Sequence, residues 1–268
     1  MRIPVIKGVI RRRLLVNFRA DPAAAQRILP HPFRPKLHAG YSIVGICLIR
    51  LEQIRPSGLP GIFGLSSENA AHRVAVEWTD SAGVPREGVF IPRRDTSSTL
   101  NHIAGGRLFP GEHHLAKFLV ADAGGHVELS MRSLDDSVTV SIIGDDAESL
   151  PDSSCFGSVA EASAFFEGGS LGYSTTRDDD RLDGLILRTV DWRIGAMSVV
   201  DVRSSYFSDN DRFPGGSVEF DHALVMRDVS HEWHQAKDLI LWQETPDQAP
   251  DQASLPVMAR AGRDPRRA

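Results

Sequence analysis

Apolar and polar residues alternate with a period of two along much of the chain, and that alternation predicts strands. His126-Val127-Glu128-Leu129-Ser130-Met131-Arg132 alternates without a break, Asp135-Asp136 then turns the chain, and Ser137-Val138-Thr139-Val140-Ser141-Ile142 alternates again, which predicts a hairpin. His72-Arg73-Val74-Ala75-Val76-Glu77-Trp78 alternates ahead of a turn at Ser81-Ala82-Gly83, and residues 41–51 form a run of branched apolar residues. Residues 185–190, 197–206 and 217–226 read as further strands. Helix signals are few. Asp21 caps a short helix with Pro22 in its first turn, and Pro30 stops it. Ser158 and Glu161 stand at capping-box spacing before a helix that ends near Gly168-Gly169. A third helix is predicted over residues 230–241. Many strands and few helices predict a mainly β fold (α+β by class), a barrel or sandwich, in one domain over residues 1–244. The Pro-, Asp-, Gln- and Arg-rich residues 245–268 read as a flexible tail.

Composition changes this picture little. A chain of 268 residues with 41% hydrophobic and 24% charged residues is that of a globular protein with a substantial core. The net charge of -5 offers no general attraction to nucleic acid or to an anionic membrane. No apolar run is long enough to span a membrane as a helix, and Arg11-Arg12-Arg13 interrupts the N-terminus too early for a secretory signal, so the expected location is cytoplasmic. Two cysteines make no disulfide framework, and Cys47, in an apolar run, reads as a buried thiol. The basic residues are almost all arginine, the lysines being Lys7, Lys36, Lys117 and Lys237. A mechanism that needs a neutral amine therefore has few places to live, since arginine stays protonated.

Several local motifs in order resemble the acetoacetate decarboxylase family. They are Arg11-Arg12-Arg13-Leu14-Leu15-Val16 leading into the Asp-capped helix and Pro30-His31-Pro32, then Gly64-Leu65-Ser66-Ser67-Glu68, then Ala104-Gly105-Gly106-Arg107 with His113-His114-Leu115-Ala116-Lys117, and finally Phe220-Asp221-His222-Ala223. The resemblance implies a cone-shaped antiparallel β-barrel with an apolar interior and a few short helices, assembled into homo-oligomers. It also implies a small-molecule substrate, a carbonyl compound or carboxylate, and no cofactor. In that family a reactive lysine adds to a ketone, and the iminium withdraws electrons as carboxylate leaves.

Carried over residue by residue, the resemblance places Arg11 at the family's arginine and Glu68 at its catalytic carboxylate. The family's other carboxylate falls near residues 45–47, where there is no acid. Its lysine pair falls on His113-His114, or on Gly111-Glu112 without a one-residue deletion, and neither alignment supplies a lysine. His113 and His114, being adjacent, face opposite sides of a strand, so one of them at most enters the barrel. A regular strand puts Lys117 on the face of His113, where an amine could return. The expected chemistry is therefore lyase- or cyclase-type proton transfer on a small keto or polyketide-like acid by Glu68 and one histidine, with Arg11 on the anionic group. A non-catalytic barrel that binds a small molecule, and a Schiff-base decarboxylase using Lys117, are the competing expectations. Glu112-His113-His114 and His231-Glu232-Trp233-His234 lack the spacing of a helical zinc site, and no phosphate-binding or nucleophile-elbow motif is present.

Overall fold

The computed structural model describes residues 4–104, 110–178 and 180–241. In chain order the strands are β1 (Ile6–Ala20), β2 (Arg34–Pro35), β3 (Leu37–His38), β4 (Tyr41–Pro56), β5 (Leu65–Thr79), β6 (Pro85–Thr96), β7 (His113–Ala123), β8 (His126–Ser133), β9 (Thr139–Ala147), β10 (Leu171–Thr175), β11 (Arg181–Thr189), β12 (Gly195–Ser204), β13 (Val218–Gln235) and β14 (Leu239–Ile240). Three short helices interrupt them: α1 (Pro22–Gln26), α2 (Thr99–Ala104) and α3 (Val159–Gly168). The expected tail at residues 245–268 and the Gly105-Gly106-Arg107 motif lie outside the described residues.

All these strands belong to one sheet, and forks at β6 and β13 shape its interior. β13, β1, β4, β5 and β6 pair in that order as a central wall, antiparallel throughout. The outer edge of β6 serves two partners: β10 at Val89–Ile91 and β7 at Arg94–Thr96, both parallel. β13 forks likewise, holding β12 at Ala223–Val225 and β11 at His231–Gln235. One ring of paired strands closes through β7, β8, β9 and β12, and a second through β10 and β11. The fold is the mainly β, barrel-like one the sequence suggested.

The two rings explain why some strands alternate and others are apolar throughout. β8 borders one interior, and its burial alternates strictly from His126 to Ser133. The central wall has an interior on each face, so Leu14–Phe18, Ser42–Leu48 and Ala70–Val76 are buried without a break. Val16, Ile46, Leu48 and Val74 pack into the larger core together with Leu129, Ile142 and Phe207, while Leu15, Ile43, Ala71 and Ala75 pack on the other face with Phe156 and Phe166.

The capped helices form as read. The Asp21 carboxylate accepts from the Ala23 and Ala24 N–H groups, and the Ser158 hydroxyl accepts from the Glu161 N–H. The helix expected over residues 230–241 does not form. β13 continues to Gln235, with Gly8 opposite His231 and Ile6 opposite Trp233 on one edge and β11 on the other. Hydrogen bonds on both edges, with Val229 and His231 buried on either side of exposed Ser230, outweigh the weak local helical spacing.

Candidate active site

The second ring encloses a cavity of about 130 Å³. Its walls are mostly apolar, with Val89, Ile91, Phe166, Leu185, Leu187 and Trp192 among them. Into this setting project three guanidiniums, those of Arg13 on β1, Arg73 on β5 and Arg94 on β6. Among the described residues none of the three has a carboxylate within ion-pair distance. Arg13 Nε donates to the Cys47 sulfur at 3.3 Å, Arg73 Nη2 to Asn17 Oδ1 at 2.5 Å, and Arg94 Nε to the Ser174 hydroxyl at 2.9 Å. Arg13 Nη1 and Arg73 Nε are buried with no partner among the described residues. Burial pushes Arg73 and Arg94 down to about 10, and the nearby sulfur of Cys47 works against that fall in both. Both remain cations at neutral pH. Unpaired buried charges and unmade hydrogen bonds carry a cost of several kcal/mol in a protein interior, about 1–3 for each unmade bond, so the cavity is preset for an anion. The one acid on its wall, Asp95, is already held by Arg93 at 2.8 Å.

His113 opens β7 at the edge of the same cavity. Gly111 positions it. With φ at +86° Gly111 adopts a conformation suited to glycine, and a Cβ there would sit 2.5 Å from the Ser174 Cβ. Its N–H donates to Asp183 Oδ2 at 3.0 Å, and its carbonyl lies 3.1 Å from His113 Nδ1. Nδ1–H therefore faces that carbonyl and Nε2 is the acceptor nitrogen. Burial, reinforced by Arg94, lowers His113 to about 3, so the ring is neutral at pH 7 and can enter as a base.

Arg73 is aimed by a buried chain. Its Nη2 takes up Asn17 Oδ1, which turns the Asn17 amide nitrogen toward His222 Nε2 at 3.0 Å. Nε2 must then accept, which places the His222 proton on Nδ1, 2.5 Å from Asp221 Oδ2. Asp221 also accepts from the Ser154 hydroxyl at 2.7 Å and the Cys155 N–H at 2.9 Å. Burial alone would raise Asp221, but these bonds outweigh it and hold the carboxyl at about 2. The motif that looked familiar near the C-terminus thus supports the cavity from behind.

Of the catalytic candidates named from the sequence, His113 alone lines the cavity. Arg11 is the extra residue where the β1–β4 register shifts between Ile10 and Arg12, so its side chain turns outward to Glu52 at 3.0 Å and Asp228 at 2.5 Å. Arg13 stands inward in its place. Glu68 belongs to the opposite face of the wall, bound to Arg12 at 2.6 Å in a network that continues to Asp122 and Arg227. Burial raises its carboxyl, opposed by Arg12 and Arg50. His114 points away from the cavity to Asp135 at 3.4 Å. Lys117 is exposed opposite Arg132 on β8, because β7 leaves β6 after Leu115 and its face no longer borders the cavity. None of the four lysines lines the cavity. Sequence reasoning missed Arg13, Arg73 and Arg94 as cavity residues and read Cys47 only as a buried thiol. A signal existed at Arg73, a charge within an apolar run buried on both sides.

The model of the DUF2071 family, described as an uncharacterized conserved protein, matches residues 9–207. No curated protein matches the chain. Among solved structures, the chain superposes on acetoacetate decarboxylase from Legionella pneumophila with a TM-score of 0.54 at 14% identity, covering 87% of each chain. An acetoacetate decarboxylase-like enzyme from Sphingomonas wittichii RW1 gives a TM-score of 0.58 at 13% identity over 89% of this chain and 95% of that one. The enduracididine biosynthesis enzyme MppR, in a complex with the condensation product of pyruvate and imidazole 4-carboxaldehyde, gives 0.51 at 13% identity over 90% of both chains. At such identities the likeness is one of fold.

Proposed function

Because the chain belongs to the DUF2071 family and has the acetoacetate decarboxylase-like fold, we propose that it acts on small oxo acids by proton transfer rather than through a lysine imine. The observation that carries this reading is the set of three guanidiniums without carboxylate partners in an apolar cavity that no lysine lines. An oxo acid fits both demands. Its carboxylate satisfies the free donors of Arg13 and Arg73, and its carbonyl oxygen meets the remaining guanidinium. Taking a proton from the carbon next to that carbonyl pushes negative charge onto the oxygen, where a fixed cation stabilises the enolate more than the ketone. Low polarity around the site strengthens the contact. His113 Nε2 is the base, and a bound anion beside it opposes the depression of its pKa. That MppR holds a pyruvate-derived adduct makes 2-oxo acids a reasonable first probe.

The test is hydrogen–deuterium exchange of pyruvate and 2-oxobutyrate methyl and methylene protons in D2O, followed by proton NMR. The wild type is expected to catalyse exchange, Arg94→Gln to lower the rate about 10²–10³-fold as loss of an oxyanion donor does, and His113→Gln to abolish exchange while binding survives. A second reading, a binding protein without turnover, draws on the low basicity of His113. Binding by all forms with no exchange by the wild type would favour it. Absence of any binding to the wild type would remove both readings.

A further inference from the structure

The cavity lacks an amine, but it contains a nucleophile. Cys47, on β4 between Leu15 of β1 and Ala71 of β5, contributes its thiol to the cavity wall. Arg13 Nε–H donates to its sulfur at 3.3 Å. Arg73 and Arg94 line the same cavity as the sulfur. A second observation points independently to a ligand here: Arg13 Nη1 and Arg73 Nε are buried donors without partners, and both residues line the same wall as the thiol. An anion drawn to these guanidiniums occupies the cavity whose wall carries the sulfur.

We propose that Cys47 is a covalent site for small anionic electrophiles, carboxylates with a polarised carbonyl carbon next to the anionic group. The inference rests on the anion-binding reading of the cavity and adds a bond to it. With a 2-oxo acid, the sulfur attacks the carbonyl carbon and an S–C bond forms. The C=O π bond breaks, its electron pair goes to the oxygen, and the oxygen takes up the proton that the thiol gives up. The product is a hemithioketal, formed reversibly with no oxidant or leaving group. Negative charge that develops on the sulfur, and then on the oxygen, meets guanidiniums at each stage, and the thiolate is the form that attacks. The other thiol makes a contrast. Burial and the neighbouring Asp221 push Cys155 up to about 12, and it lies off the wall of this cavity.

Iodoacetate and iodoacetamide separate charge-guided attack from simple exposure. Each alkylates sulfur as the C–S bond forms, iodide departs with the C–I pair, and the thiol proton passes to buffer. Free thiols react more slowly with the anionic reagent. In the folded protein Cys47 is expected to react at least ten-fold faster with iodoacetate than with iodoacetamide, as read by intact mass and peptide mapping, with Cys155 as the internal reference. The rate is expected to saturate with reagent, to fall when pyruvate is present, and to lose its anion preference in Arg73→Gln. A Cys47 that is unreactive in the folded protein, or that shows the reagent preference of the urea-unfolded chain, overturns the proposal. The rise in melting temperature with pyruvate is measured alongside in Cys47→Ser. If that rise persists while alkylation fails, the thiol step alone is lost; if both are absent, the anion-binding reading fails with it.

Discussion

Arg73 can face the cavity without a carboxylate beside it because its orientation is fixed from the opposite end. Asn17 cannot rotate without offering its amide N–H to a guanidinium that only donates, and His222 cannot change tautomer without opposing the Asn17 amide. Asp221 sets that tautomer. Asp221→Asn keeps the volume but allows an N–H to face His222 Nδ1, which reverses the preferred tautomer and breaks the chain at Asn17. The carboxyl is buried and held at about 2, below its ordinary range, so its loss is expected to cost about 2–3 kcal/mol at pH 7. Urea denaturation reads that cost, and pyruvate binding to the folded variant is expected to weaken about ten-fold, a drop of about 1.4 kcal/mol. Unchanged binding in a destabilised variant would assign the chain to stability alone.

At the level of elements, the chain was legible where one rule acted and misleading where two competed. The hairpin of β8 and β9 follows from alternation and a turn, because each strand has a single buried face. α1 and α3 follow from their caps. Residues 230–235 of β13 carry a helical expectation instead, because His231, Glu232, Trp233 and His234 give no strong period and the strand is fixed by partners distant in sequence. The site divides in the same way. That one of the adjacent His113 and His114 enters the interior was legible, whereas the register shift that turns Arg11 outward and Arg13 inward depends on pairing with β4. α3 provides a direct check on cap reading. It lays Phe166 4.7 Å from the Arg73 guanidinium and buries Ala162 against the cavity-side core. Ser158→Ala removes the acceptor for the Glu161 N–H, and a loss of about 1 kcal/mol in urea unfolding is expected. A change of less than about 0.3 kcal/mol would mean that Gly157 and Glu161, joined at 2.7 Å, hold the helix start by themselves.

Across the whole molecule, the interior is set against protonation. His72 packs tilted against Tyr206, ring centres 4.5 Å apart, inside the larger core, His113 lines the cavity, and His231 packs beside Trp233 at 5.0 Å. Burial lowers His72 and His113 to about 3 and His231 to about 4, and nearby arginines add to the fall in each: Arg93 for His72, Arg94 for His113, Arg13 for His231. In the unfolded chain all three return to about 6.5. Below that pH the unfolded state binds protons that the native state refuses, so acid favours unfolding. Each histidine contributes about 1.4 kcal/mol per pH unit between 6.5 and its native value. Asp221 adds to the loss only at lower pH, between its ordinary range and about 2. Stability is therefore expected to be level above pH 7 and to fall by several kcal/mol between pH 6.5 and 4.5, a loss that begins above the ordinary carboxylate range. Melting temperature measured across that interval checks the sign and the window. His72→Phe keeps an aromatic ring against Tyr206 and removes one titrating group, so its curve is expected to fall less steeply than the wild type. A wild-type curve that stays level down to pH 4.5 would mean that these rings take up protons without leaving the core.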